Sequence, residues 1–132
     1  MTIIESTAAV AQPVEKVYAF LADLNNHEQL MPENIYNWSS TEDQASFTIQ
    51  NMAKLAIRIS ERIENKELIA VPTEKAPFDV ELKWTVEPDA NGGTIAKHII
   101  TADLNMMMKM LASGPLQKLA DYQTQKLQDT LK

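Results

Sequence analysis

The chain carries two histidines, His27 and His98, and no cysteine. Imidazole titrates nearest neutral pH, so each histidine is a candidate general base or hydrogen-bonding group. His98 is the sharper candidate. It alternates with Ile100, Ala102 and Leu104 on what reads as the apolar face of a strand. There it can hold the polar head of a ligand or move a proton. The same position suits a neutral core histidine bonded to a carbonyl or hydroxyl, Tyr122 being one partner to consider. Tyr36 and Tyr122 are second candidates for that polar end. Glu61 shares the parity of Ile57 and Ile59 but stands near a strand end, where solvation is expected. His27 with Glu28 does not make a metal site alone, and no H-x-x-x-H spacing occurs. Serine nucleophile elbows, Gly-rich phosphate loops and Cys/His sets are absent from the sequence. These residues lead us to expect no catalytic set, no metal and no cofactor.

The remaining candidates act as a group. Trp38, Phe47, Ile57, Ile59, Phe78, Val80, Leu82, Trp84 and Ile100 fall on the inward parity of successive strands. Each one singly reads as core. Together they read as an apolar lining suited to a fatty or polycyclic ligand. Met106, Met107, Met108 and Met110 follow the last strand. Methionine is flexible and polarizable, so Met107 and Met110 can build an adaptable wall, or simply fill the gap where strand becomes helix. Gly114-Pro115 beside them makes a local break that suits a ligand gate. The expected ligand-binding set is His98, Trp38, Phe47, Ile57, Ile59, Phe78, Leu82, Trp84, Ile100, Met107, Met110 and Tyr122.

These residues need elements to position them. Residues 2–11 read as a strand with Ile4, Ser6, Ala8 and Val10 on one face. Pro13 suits a first helical turn, and Val14, Val17, Tyr18, Leu21 and Leu24 recur at helical spacing. A second short helical turn is expected over His27–Met31. From residue 35 the period becomes two. A hairpin at Glu42-Asp43 predicts Trp38 opposite Phe47 and Tyr36 opposite Ile49, all on one face. Leu55, Ile57, Ile59 and Ile63 continue the pattern, and a tight turn at Asn65-Lys66 leads into Glu67–Val71. Phe78 to Val86 alternates apolar with charged residues. The loop from Pro88 to Gly93 predicts Leu82 near His98 and Trp84 near Ala96 across the last strand. Asn105 is a good N-cap. Ser113-Gly114-Pro115 is expected to interrupt or kink the closing helix, whose stripe is Leu116, Leu119, Ala120, Gln123, Leu127 and Leu131. The charges of Lys54, Arg58, Arg62, Asp79, Glu81 and Lys83 read as a mixed solvated sheet face.

At 132 residues the chain is the size of one domain, spanning 1–132, and can bury a real core. Its net charge of −6 opposes a phosphate backbone or an anionic membrane surface, so nucleic acid is a poor partner. No apolar run approaches the length of a membrane span, and the N-terminus does not read as a signal peptide. The lack of cysteine fits a reducing compartment, and the cytoplasm is the expected location.

The order strand, helix, short helix, six strands, long helix is that of an α+β helix-grip domain. In that fold a curved antiparallel sheet wraps a long C-terminal helix. The stretch Ala11-Gln12-Pro13-Val14-Glu15-Lys16-Val17-Tyr18-Ala19-Phe20-Leu21-Ala22-Asp23 carries a resemblance, together with Leu30-Met31-Pro32 and Asn37-Trp38. It resembles the helix opening of the SRPBCC superfamily, which includes START lipid-transfer domains, the birch-pollen allergen family and polyketide cyclases. The resemblance implies a hydrophobic cavity between sheet and helix. The short loops imply a cavity that is small or largely filled. Three functions follow as expectations. The first is binding or transport of a small lipid-like or polycyclic molecule. The second is a cyclase or dehydrase using His98 or a tyrosine as acid or base. The third is a protein-interaction module with a collapsed cavity. Self-association is compatible with each.

Overall fold

The computed structural model describes residues 2–50, 53–73 and 79–132. Strand β1 (Thr2–Val10) leads into helix α1 (Val14–Leu21) and a 3₁₀ helix (Leu24–Leu30). Strands β2 (Ile35–Ser40), β3 (Gln44–Ile49), β4 (Ala53–Ile63), β5 (Glu67–Pro72), β6 (Val80–Pro88) and β7 (Thr94–Ala102) follow. Helix α2 (Met106–Thr130) closes the chain. The strands form one antiparallel sheet in the order β1-β7-β6-β5-β4-β3-β2.

Pro13 opens α1 with φ −67° and ψ 158°, and its carbonyl accepts from Lys16 and Val17 at 3.0 and 3.2 Å. Proline here forgoes an N–H that the first turn would leave unpaired anyway. The expected short helical turn is a 3₁₀ helix, and it runs from Leu24 to Leu30 and not from His27 to Met31. Its buried residues, Leu24, His27 and Leu30, recur every third position, which is the 3₁₀ period. Asp23 caps it by accepting from the Asn25 N–H at 3.0 Å. Arg62 fastens this region to the β2–β3 hairpin. Its guanidinium donates to the Ala22 carbonyl at 2.8 Å and to the Glu42 carbonyl at 3.2 Å, and pairs with Asp43 at 2.9 Å.

Two registers differ from expectation, and a third pairing slips near Glu61, where solvation is expected. In β2, Ile35 faces Ile49 and Tyr36 faces Thr48, but Ser39 faces Ser46, so Asn37 and Trp38 together oppose Phe47. This is a bulge, and Asn37 at its centre takes φ 57°. Trp38 keeps its place on Phe47, with ring centroids 5.2 Å apart and near-parallel planes. Tyr36 turns outward to 45% exposure, and Ile35 is buried instead. In β4 the pairing with β5 slips between Ile59 and Glu61, and Glu61 faces solvent. Between β6 and β7 the partners are Trp84 with His98 and Leu82 with Ile100, two positions from the expected pairing. An even shift leaves every side chain on its face. Asp89 tightens that loop by accepting from Asn91 at 2.7 Å and Gly93 at 2.9 Å. Gly93 has to be glycine, because a Cβ there would stand 2.7 Å from the Val10 carbonyl oxygen.

Helix α2 is not interrupted at Ser113-Gly114-Pro115; it runs through Pro115. Proline removes the hydrogen bond to the Leu111 carbonyl, but Leu111, Gly114 and Pro115 are exposed, so water can replace it. Ala112, Leu116 and Ala120 pack with Ile4, Ile100 and Ala102 on both sides of the proline, holding the two halves on the sheet. Ser6 and Thr124 share a 2.7 Å hydrogen bond, and Gln117 donates to the Glu5 carbonyl at 3.0 Å. A second cluster lies under α1, where Val17 and Leu21 meet Trp84, Val86 and Leu127. A third joins Leu24 and Ile35 to Phe47, Leu55, Ile57 and Ala70.

Candidate functional site

The inner face of the sheet, the 3₁₀ helix and α2 enclose a cavity of about 50 Å³. That exceeds the roughly 10–15 Å³ a cavity needs to hold one water. Trp38, Phe47, Ile57, Leu82, Trp84, His98 and Ile100 line it from the strands. The other strand residues are Ile49, Leu55, Leu68, Ala70 and Val80. Leu24, His27 and Met31 close one end, and Leu116, Leu119 and Gln123 reach in from α2. Successive strands present alternate residues to one face, so this apolar wall is a direct product of the period-two pattern.

Three polar side chains interrupt the wall. His98 is 2% exposed and lies flat on Trp84, with ring centroids 4.2 Å apart and planes 4° from parallel. His27 meets the same indole edge-on at 6.4 Å. The His27 Nε2 lies 2.7 Å from the Leu21 carbonyl oxygen. A carbonyl can only accept, so Nε2 carries the proton of the neutral ring. Gln123 donates from Nε2 to the Met31 sulfur at 3.4 Å. Both ring nitrogens of His98 and the Gln123 Oε1 are buried without a hydrogen-bond partner among the described residues.

Burial first, and the neighbouring His27 second, push the His98 pKa down to about 3, against the Gln123 amide, which raises it. Gln123 nonetheless makes no hydrogen bond of ordinary length to the ring. Burial also lowers the His27 pKa, against the Leu21 carbonyl and Asp23, which raise it. Both rings are therefore uncharged at neutral pH. Among the described residues no group of three His, Cys, Asp or Glu side chains stands together as a metal site would require. No helix of the described residues is long and apolar enough to cross a membrane.

The structure brings together His98, Trp38, Phe47, Ile57, Leu82, Trp84 and Ile100. Ile59 is half-buried between two core clusters and does not reach the cavity. Phe78 lies outside the described residues. Met107, Met110 and Tyr122 are at the surface, 72%, 81% and 42% exposed. The reason is helical phase: α2 turns Ala112, Leu116, Ala120, Gln123 and Leu127 inward, and at 100° per residue these three project elsewhere. Tyr122 is thus no partner for His98; its neighbour Gln123 takes that position. Gln123 and His27 are the polar site residues that sequence reasoning missed, beside apolar lining residues such as Leu24, Met31, Leu68 and Leu119. Each of the two polar residues had a signal. Gln123 is the polar member of an apolar helical stripe, and His27 keeps the three-residue spacing of Leu24 and Leu30.

No family model matches the chain, and no curated protein does. Solved structures do. A protein from Thermus thermophilus aligns with 98% of this chain and 97% of its own at 14% identity, with a TM-score of 0.79. A START superfamily protein from Mycobacterium smegmatis aligns with 97% of this chain and 98% of its own at 17% identity, with a TM-score of 0.67. The chain has the helix-grip fold. The Aha1 dimer from Colwellia psychrerythraea shares it, over 99% of this chain and 96% of its own, at 14% identity and a TM-score of 0.68. In this helix-grip domain the gripped helix supplies one polar group to the cavity, Gln123, and the sheet supplies the facing one, His98.

Proposed function

We propose that this helix-grip protein binds a small hydrophobic molecule between the sheet and α2 and leaves it chemically unchanged. The observation that carries this reading is an apolar cavity in which three polar atoms, the two His98 ring nitrogens and Gln123 Oε1, lack partners among the described residues. Native interiors rarely leave such atoms unmatched, and a bound molecule would match them. Apolar burial would drive binding at about 25 cal/mol per Å². Proton-transfer chemistry has less support, because no charged side chain of the described residues lines the cavity to poise His98.

A cavity of about 50 Å³ has to swell to take a ring or a chain. A surface groove of about 370 Å³ lies beside it, lined by Asn34, Gln50, Leu111 and Pro115. Ile49, Leu116 and Leu119 line both spaces and so form the partition between them. The route we favour opens this partition as α2 yields near Pro115. Gly114→Ala tests it. A Cβ there meets nothing within 4 Å, so the fold should accept it and gain about 0.5–1 kcal/mol. Ligand on-rates should fall in stopped flow, and on-rates equal to wild type would exclude this route.

Native mass spectrometry of the purified protein tests the function, with solvent extraction of anything bound. A co-purifying apolar molecule of defined mass is the expected result. An empty protein that gains no thermal stability from fatty alcohols, sterols or polyketides would refute the reading. A second reading, a protein-interaction surface, has one observation in its favour. Met106, Met107, Met110 and Leu111 are all exposed on the first turns of α2. The Colwellia neighbour is a dimer, so a second copy of this chain is the first partner to test.

A further inference from the structure

We infer that the molecule bound in this cavity presents an uncharged hydroxyl group to His98 and Gln123. The inference rests on the ligand-binding reading above and adds the chemical class. Its basis is the donor and acceptor inventory of the polar corner. His27 is already committed, through Nε2, to the Leu21 carbonyl. The Gln123 amide N–H is turned to the Met31 sulfur. An uncharged His98 ring offers one N–H and one lone pair, and Gln123 Oε1 offers lone pairs only, all without partners. The three atoms left without a partner thus present one donor and two acceptors.

A hydroxyl both accepts and donates, so one oxygen can take the His98 N–H and give its proton to Gln123 Oε1. A carboxylate can only accept. It would match the His98 N–H and set its charge against the Gln123 oxygen. No Lys or Arg of the described residues lines the cavity to offset that charge. A protonated amine would meet the same deficit, since no Asp or Glu of the described residues lines it either. A hydrocarbon would fill space and leave all three atoms unmatched. The flat stack of His98 on Trp84 fixes the direction of the ring nitrogens, so the corner is built before the ligand arrives.

Phenol, toluene and benzoate separate these cases, because each is one ring with one substituent. The full chain would be titrated with each at pH 7 by calorimetry, with thermal shift in parallel. Phenol is expected to bind about tenfold or more tightly than toluene, a difference of about 1.4 kcal/mol, and benzoate not at all. Gln123→Met and His98→Phe keep size and apolar packing. Each should abolish the preference for phenol while toluene still binds. Toluene equal to phenol in the wild type, or benzoate equal to phenol, would overturn the hydroxyl assignment and leave the cavity reading standing. A full phenol preference in both variants would overturn it as well. Failure of all three probes to bind would remove the cavity reading and this inference with it.

Discussion

Acidification from pH 7 to pH 4 is expected to cost the fold on the order of 3 kcal/mol through His98 alone. The unfolded chain takes up a proton on this ring below its ordinary pKa of 6.5, whereas the folded state holds it off until about 3. Between those values the unfolded state binds more protons, so stability falls as the pH falls. The contribution is fully present above pH 6.5, and its loss is complete below about 3. His27 is shifted in the same direction and adds to the loss. A domain of this size has about 5–15 kcal/mol in total, so acid should bring it close to unfolding. Urea denaturation at pH 7, 5.5 and 4 measures the effect. His98→Phe isolates it from the carboxylates, since the variant lacks the titrating ring and keeps a flat group on Trp84. The wild type should lose more stability than the variant across that range. Equal losses would mean that His98 is not buried and neutral in the folded protein.

Replacing Trp84 by Ala should destabilise the fold by about 3–5 kcal/mol. Trp84 is 3% exposed and central to three groups of residues. It packs in the cluster under α1, backs His98 face to face, and meets His27 edge-on. Its removal would merge the indole's volume with the existing cavity, and the stiff sheet around it could collapse only in part. Trp84→Phe keeps an aromatic surface for His98 and should cost much less. Chemical denaturation of both variants is the check. A cost below about 1 kcal/mol for Trp84→Ala would show that the wall closes over the gap. A Trp84→Ala protein that still folds should also accept bulkier molecules than the wild type.

Much of this architecture is legible in the sequence, for identifiable reasons. The alternation in β6 and β7 assigns faces correctly, and parity alone points His98 inward even though its partner across the ladder is two positions from the expected one. An even error in loop length moves partners without moving faces. An odd insertion does both, and the bulge at Asn37 turns Tyr36 outward for that reason. Nothing in the local pattern marks a bulge, since asparagine suits a strand end or a turn equally. Met107 and Met110 escape a pattern-based placement because apolar side chains at a helix start carry no phase of their own; the stripe from Leu116 onward sets it. Arg62 reads as a solvated charge, yet it ties the Ala22 carbonyl to a hairpin distant in sequence. Contacts of that range are invisible to any periodicity. The polar corner is half legible: His98 stands out as a histidine on an apolar face, whereas Gln123 passes as a minor flaw in a helical stripe.

The pairing of β1 with β7 also sets the order of events as the chain is made. Thr2 meets Ala102, and Val10 meets Thr94, so β1 leaves the ribosome well before its only neighbour among the described strands of the sheet. At about 5–20 residues per second, some 100 residues take roughly 5–20 seconds to synthesise. Through that interval β1 has no ladder partner, and its row of backbone groups is open to pairing with another nascent chain. Sheet growth from β2 through β6 can proceed without it. Vulnerability to misassembly during translation is therefore concentrated in Thr2–Val10, and a chaperone that shields this segment would protect the yield of the whole domain.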